Sequence, residues 1–373
     1  MSHEALQIAH VSGEQGFSGG EVQVFLLLEG LRARGHRSVL VCPPGSESAR
    51  QAEKRGFETH PVRMRNDLSL GAAWRIRRGL GALGVQLVHC HTGRANWLGG
   101  LAAYSRGLPA VTTRRMDRAV SRSGRNRWLY TRAMRRAVAI SPAVERRLLE
   151  GGVPRDRVRL IWSSVDRAAL RPSAPRAELR TRLGAGEGEA CLLVAAHLVA
   201  RKGIDVLLEA FAALPGEPPT SLWIAGEGPE RVALESQALR LGCARRVHFL
   251  GQRDDVADLL EACDAFVLPS RAEGLGVAAL EAMACGRPVV ASAVGGLAEA
   301  VGHEQCGLLV PPDDAAALSA ALGRLLGDAP LARRLGEAGA ARAAERFDAK
   351  TMVAGYEALY REVLDEAAAR GAR

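Results

Sequence analysis

The chain has 373 residues, 47% of them apolar, and carries 50 Lys+Arg against 41 Asp+Glu for a net charge of +9. That length suits two cores of ordinary size better than one, and no apolar run of about 18 residues is present, so no transmembrane helix is predicted. The positive charge is uneven: through Val165 there are 27 Lys+Arg against 12 Asp+Glu, and beyond it 23 against 29, which predicts an anionic partner for the first half.

In chain order, ALQIAHV (5–11) is a short apolar run followed by a Gly-rich loop and a helical stretch from Glu21 to Arg34. RSVLVC (37–42), VQLVHC (85–90), AVTT (110–113) and AVAI (137–140) are further strand candidates, each followed by a polar loop and a helix-like stretch. The stretch 114–136 holds nine arginines; if helical, their spacing gathers several on one side. SPAVERRLLEGG (141–152) predicts a helix with Ser141 as cap, Pro142 in its first turn and Gly151 as its stop. RPSAPR (171–176) interrupts the alternation and reads as a linker. Strand candidates then resume at 190–198, 221–226, 246–251, 265–269, 287–292 and 307–312. The tail from Asp348 to Arg370 predicts a long helix with Met352, Tyr356, Leu359, Tyr360 and Val363 on one face. Such alternation means α/β: two doubly wound Rossmann-like domains with parallel sheets. The seven cysteines are scattered, with no C-x-x-C, which speaks against a zinc site or a disulfide framework and for a reducing cytoplasm. The first twenty residues lack the charged start and apolar core of a signal peptide.

Ligands of doubly wound sheets bind at the carboxyl ends of the strands, so the loops there are the candidate site. GEQGFSGGEVQV (13–24) brings Gly19 and Gly20 to a helix start, where bare backbone N–H groups approach a phosphate or sugar. No acid follows RSVLVC to hold the ribose of NAD, which weighs against an oxidoreductase. HLVARKGID (197–205) puts Arg201 and Lys202 at a helix N-terminus, where two cations oppose the dipole unless an anion joins them. IAGEGPE (224–230) opens space at Gly226 and Gly228, with Pro229 starting a helix. RVHFLGQRDD (246–255) offers the backbone near Gly251 to a flat base. PSRAEGLGVAALEAMACG (269–286) carries only two acids, Glu273 and Glu281. Ser270 and Glu273 have capping-box spacing, but Gly274 and Gly276 make a poor first helical turn and a good place to expose N–H groups. With a helix start near Leu275, the N–H groups of Leu275, Gly276 and Val277 face an anion, and Glu281 one turn inside needs a hydrogen-bond donor such as a ribose diol.

Glu273-x7-Glu281, Arg201-Lys202-Gly203, AGEGPE, GGEVQ and GLLVPPDD, in this order along nearly the whole chain, resemble the retaining glycosyltransferases of family 4, of GT-B architecture. The resemblance implies an interdomain cleft, residues 1–168 as acceptor-binding domain, 169–347 as nucleotide-sugar-binding domain, and 348–373 as a helix crossing back to the first domain. It implies retaining, metal-independent transfer from a UDP- or GDP-sugar, with no cofactor, to a glycan or glycolipid similar to lipopolysaccharide core. Glu273, Arg201, Lys202 and His91 are then the catalytic candidates. Gly19, Gly20, Gly226, Gly251, Leu275, Gly276, Val277 and Glu281 are the donor-binding ones. Family members place a His against the sugar where this chain has Arg114 and Arg115; His91 and Arg115 are the candidates to serve instead, and His89 is expected to pack inside its strand. The expected location is cytoplasmic, with peripheral contact to an anionic membrane through the basic half. A nucleotide-sugar epimerase shares the architecture but needs no basic acceptor face. A nucleic-acid binder is disfavoured by the 4% aromatic content, too little for base stacking.

Overall fold

The structure, a computed structural model, describes residues 4–216 and 219–371, so Ala372 and Arg373 of the predicted tail segment lie outside the described residues. By internal contact the chain divides into unit 1, Met1–Ser163 with Ala349–Arg373, and unit 2, Ser164–Asp348. The division at Ser163 falls before the predicted linker. Residues 171–176 belong to unit 2, where the Ser173 amide and hydroxyl both donate to the Asp258 carboxylate at 2.6 Å and Arg176 pairs with Asp264.

Unit 1 is built on a seven-stranded sheet of β1 (Gln7–Val11), β2 (Arg37–Cys42), β3 (Glu58–Pro61), β4 (Leu87–Cys90), β5 (Ala110–Arg114), β6 (Arg136–Ala139) and β7 (Val158–Leu160). The order is β3-β2-β1-β4-β5-β6-β7, all parallel. The two edge strands, β3 and β7, escape the sequence pattern because ETHP is polar and VRL is only three residues long, and edge strands tend to be short. Unit 2 carries β8 (Ala190–Ala195), β9 (Thr220–Ala225), β10 (Val247–Gly251), β11 (Ala265–Leu268), β12 (Val289–Ser292) and β13 (Gly307–Val310), in the order β10-β9-β8-β11-β12-β13. The central strands are buried on both faces, which is why they read as unbroken apolar runs.

The C-terminal helix (Ala349–Gly371) belongs to unit 1. Its Met352, Tyr356, Leu359, Tyr360 and Val363 are all buried and pack with Ile8, Leu27, Leu31, Leu87, Val111 and Val138. Ion pairs of Arg136 and Arg159 with Glu362, and of Arg34 with Glu357, fix its polar side. Among the described residues no helix is long and apolar enough to cross a membrane.

The stretch 114–136 is not one helix. It runs from the end of β5 through a loop, a short helix (Gly124–Trp128) and a single π-turn (Leu129–Ala133) into β6. The expected one-sided arginine stripe therefore does not form. Leu129, Tyr130 and Met134 pack inward, while Arg118, Arg122, Arg127 and Arg132 stay exposed.

The first helix (Gly19–Ala33) meets the C-terminal helix at Gly30, where a Cβ would lie 2.3 Å from a Val353 methyl. In an open helix Gly→Ala stabilises by about 1 kcal/mol; here Gly30→Ala is predicted to cost about 1–3 kcal/mol from overpacking. In a Val353→Ala background the same change becomes neutral or stabilising. A double-mutant cycle by urea denaturation checks this, and a Gly30→Ala that stabilises the wild-type background contradicts the packing.

Candidate functional site

In a doubly wound sheet, the crevice opens where successive crossovers leave one strand toward opposite sides. In unit 2 that point lies at the carboxyl ends of β8 and β11. The loop after β8 ends in a single 3-10 turn, Ala200–Lys202, then Gly203 in left-handed conformation at φ 65°, then the helix Ile204–Ala212. The loop after β11 lies directly against it: the Arg271 amide donates to the Arg201 carbonyl at 2.8 Å, and a Cβ on Gly203 would sit 2.1 Å from the Pro269 carbonyl oxygen. Gly203 is therefore required by backbone-to-backbone approach.

Across this seam Lys202 forms an ion pair with Glu273, and the Ser270 hydroxyl donates to the same carboxylate at 2.9 Å. Glu273 is 8% exposed. Its partners are side chains, and the helix that follows begins at Val277 with Gly276 as its cap at φ 81°. The capping-box reading of Ser270-x-x-Glu273 fails, and the helix starts two residues after Leu275. Leu275 is itself buried, 2% exposed, and at Gly276 a Cβ would lie 2.7 Å from Leu297. Lys202 is neutralised by Glu273, while Arg201 is exposed and makes no ion pair among the described residues. The neighbouring Arg271 is committed to Asp205 at 2.6 Å and Asp313 at 2.6 Å.

Glu281 stands in the middle of the helix Val277–Ala284, half-buried and without a hydrogen-bond partner among the described residues. Burial alone pushes its pKa up to about 7. A desolvated carboxyl of this kind is a candidate ligand contact.

Gly226 and Gly228 do not open space for a ligand. A Cβ on Gly226 would sit 1.9 Å from the Ala196 carbonyl oxygen and one on Gly228 2.3 Å from that of Leu198. These glycines let the loops after β8 and β9 pack backbone to backbone. The helix after Pro229 begins at Arg231. Gly251, at φ 71°, closes β10, and its carbonyl accepts from the Gly226 amide at 2.7 Å.

The corresponding crevice of unit 1 lies at the carboxyl ends of β1 and β4. His10 on β1, His89 on β4 and His91 just beyond it bring their ligand nitrogens within 4.8 Å of one another, the spacing of a metal site. Their hydrogen bonds describe something else. Arg115 donates to His91 Nδ1 at 3.4 Å, so the neutral ring carries its proton on Nε2 and donates to His10 Nδ1 at 3.0 Å; His10 Nε2 in turn faces the Ser38 hydroxyl at 3.4 Å. His89 is held between Tyr360 Oη at 2.7 Å and Thr113 Oγ1 at 2.8 Å. Burial, then the neighbouring charges, holds the pKa of each ring well below its ordinary value. These are neutral imidazoles with occupied nitrogens beside a guanidinium, a poor welcome for a cation. His91 thus presents no free nitrogen to a substrate; Arg115 stands in front of it.

Gly19 and Gly20 form the first turn of the first helix, with open space at Gly19 and Arg115 Cδ 3.8 Å from a Cβ placed on Gly20. Ser18 and Glu21 make a true capping box, with the same S-x-x-E spacing that Ser270 and Glu273 show. Arg271 and His10, which no local pattern marks, hold others in place, as does Ser270. The S-x-x-E spacing was the visible signal for Ser270, and the fold alone pairs His10 with His91.

Two family models match the chain: Glycosyltransferase Family 4 over residues 17–169 and Glycosyl transferases group 1 over residues 175–342. Among curated relatives, an N-acetyl-alpha-D-glucosaminyl L-malate synthase of Bacillus anthracis is 33% identical over 50% of this chain and 49% of its own. The lipopolysaccharide core biosynthesis glycosyltransferase LpsD of Rhizobium meliloti is 34% identical over 60% of this chain and 62% of its own. The matches thus span about half to three-fifths of these two relatives. The solved structure of Anabaena Alr3699/HepE in complex with UDP and glucose shares the fold, with a TM-score of 0.85 at 23% identity over 96% of this chain and all of that one. With two parallel-sheet Rossmann-like units and both halves matched in order, the chain belongs to the family 4 type of glycosyltransferases, of GT-B fold.

Proposed function

We propose that the chain transfers a glycosyl group, with retention and without a metal ion, from a nucleotide-diphosphate sugar to a glycan or glycolipid of the cell-surface type. The observation that carries this reading is Glu281, a half-buried carboxyl without a partner beside the Lys202–Glu273–Ser270 cluster. A ribose diol donates two hydrogen bonds to such a group. The diphosphate lies at the start of the helix Val277–Ala284, its charge offset by Arg201, unpaired among the described residues, and in part by Lys202, which it shares with Glu273, the work a metal does elsewhere. Glu273, held by Lys202 and Ser270, lies beside the sugar and stabilises positive charge developing at its ring. Unit 1, the basic half, takes the acceptor. A UDP-sugar is the favoured donor, since the Anabaena neighbour is a UDP complex. The LpsD relative favours a surface-glycan acceptor. Activity is expected to survive EDTA.

Arg201→Ala is predicted to weaken UDP binding about tenfold or more, the worth of a charge-assisted hydrogen bond of about 1.5–3 kcal/mol, with uridine binding and thermal stability unchanged. Lys202→Ala also lowers stability, because it strips Glu273 of its counter-charge. Calorimetric titration with UDP and uridine checks this; equal losses for both ligands contradict the assignment.

Glu281 gives a pH prediction. Donor hydroxyls favour its ionised form, so UDP affinity should fall as pH drops through about 7, and Glu281→Gln should bind more weakly with no such slope. In the unliganded protein the sign reverses. The folded pKa, about 7, lies above the ordinary 4.5, so the folded state holds an extra proton between them and its stabilising effect is lost as pH rises past 7. Glu281→Gln should therefore melt a few degrees higher than wild type at pH 8 and converge with it near pH 5. A lower melting temperature for the variant at pH 8 contradicts a vacant ribose partner.

Attachment to an anionic membrane face completes the reading. Leu68, Leu70 and Trp74 are 82%, 65% and 56% exposed, with exposed Arg75, Arg77 and Arg78 on the same helix, Leu70–Ala82. The Asp67–Arg125 ion pair ties this segment to the arginine-bearing turn around Gly124–Trp128. Each basic residue near anionic lipid contributes about 1 kcal/mol. Flotation with phosphatidylserine vesicles should show binding at low salt that is lost at 1 M salt and lost in Leu68→Ser/Trp74→Ser. No binding at low salt contradicts it.

A further inference from the structure

We infer that unit 1 holds an oxyanion subsite centred on Arg115, and that the acceptor therefore carries a phosphate monoester or a carboxylate. This inference rests on unit 1 being the acceptor side.

Arg115 follows β5 at the crevice of the sheet and is half-buried. Among the described residues it forms no ion pair. Its terminal nitrogens reach only His91, ring nitrogen and carbonyl, at 3.4 Å, and its Nε is buried without a partner. The nearby acid, Glu21, is already committed: its carboxylate accepts from the Ser18 amide at 2.9 Å and the Ser18 hydroxyl at 2.7 Å. The imidazoles behind Arg115 are neutral, and the charge of Glu21 offsets only part of what burial costs the cation. A guanidinium held this way is costly until an oxyanion supplies the charge and accepts from its fork of donors.

The surroundings favour the same ligand. The first turn of the helix Gly19–Ala33 lies beside Arg115, and the Gly13 amide donates to Thr92 Oγ1 at 3.1 Å, drawing the loop after β1 to the start of the helix Gly93–Ser105. Nothing stands within 4 Å of a Cβ at Gly16, Gly19 or Gly93. Two helix N-termini, capped by Ser18 and Thr92, thus lie near an arginine that has no ion pair among the described residues, and their partial positive charges favour an anion there. The donor's diphosphate has its own cations on unit 2, which leaves this subsite to a second anion.

Calorimetric titration of the full chain with glycerol 3-phosphate and with succinate, against glycerol as the neutral control, tests the inference. At least one of the two anions should bind where glycerol does not. Arg115→Gln should weaken that binding at least tenfold and Arg115→Lys should retain part of it, while UDP affinity stays within twofold. Because a cation only partly compensated is removed, the melting temperature of Arg115→Gln without ligand should equal or exceed that of wild type. The inference is overturned if neither anion binds better than glycerol, if Arg115→Gln binds the anion as wild type does, or if the variant loses UDP affinity instead, which reassigns Arg115 to the donor's diphosphate. Anion binding by a protein that binds no UDP or GDP would refute the proposed transfer reaction and leave the subsite standing.

Discussion

Everything chemically distinctive in this protein sits at one kind of place: the point where a doubly wound sheet reverses its direction of winding. The chain leaves β1 toward β2 and later returns to β1's other side as β4; in unit 2 it leaves β8 toward β9 and returns as β11. At such a point two loops diverge over neighbouring strand ends, and the helices that follow turn their N-termini toward the same opening. In unit 2 the opening is framed by glycines that bring backbone onto backbone, Gly203 on Pro269 and Gly226 on Ala196. This close approach sets Lys202 against Glu273.

The two crevices resolve the cost of buried charge differently. In unit 2, cation and carboxylate meet directly, and the residual cost is concentrated on Glu281, whose ionisation burial opposes. In unit 1, three imidazoles stay neutral, His91 bonded to His10 and His89 to Tyr360 and Thr113, so the residual cost is concentrated on Arg115. A stable resting protein has every reason to satisfy such groups; leaving them unsatisfied makes sense where a ligand completes them. The C-terminal helix contributes to this arrangement directly. Tyr356 and Tyr360 reach through the unit 1 core to Thr113 and His89, so the packing that anchors the helix also fixes the imidazole layer beneath Arg115.

Much of this is legible in the residues. Buried parallel strands are written as apolar runs, and the strand RSVLVC matches β2 residue for residue. The face of the final helix follows from its period alone, and Ser141, Pro142 and Gly151 mark their helix as capping rules require. What is not legible depends on neighbours distant in sequence. The strand ETHP carries no apolar signal because it lies at the sheet edge. The arginines of 114–136 look helical by spacing, but β5 and β6 claim both ends of the segment. Gly226 and Gly228 look like room for a ligand until the loop after β8 is seen to fill it. Glu273 and Glu281 stand out in the sequence as two carboxylates in an apolar segment, yet only the fold supplies Lys202 to one and, among the described residues, no hydrogen-bond partner to the other. His10 and Arg115 come together through strand order, which no local pattern records.

The central claim is that the crevice at β8 and β11 receives a nucleotide-diphosphate sugar. Amide hydrogen exchange of the full chain, with and without UDP-glucose or GDP-mannose, addresses it most directly. The account predicts slowed exchange in unit 2 at residues 198–203 and 273–281 with at least one of these donors, with the sheet interior unchanged. Exchange at both segments that no donor alters, or protection by donor confined to unit 1, would contradict it.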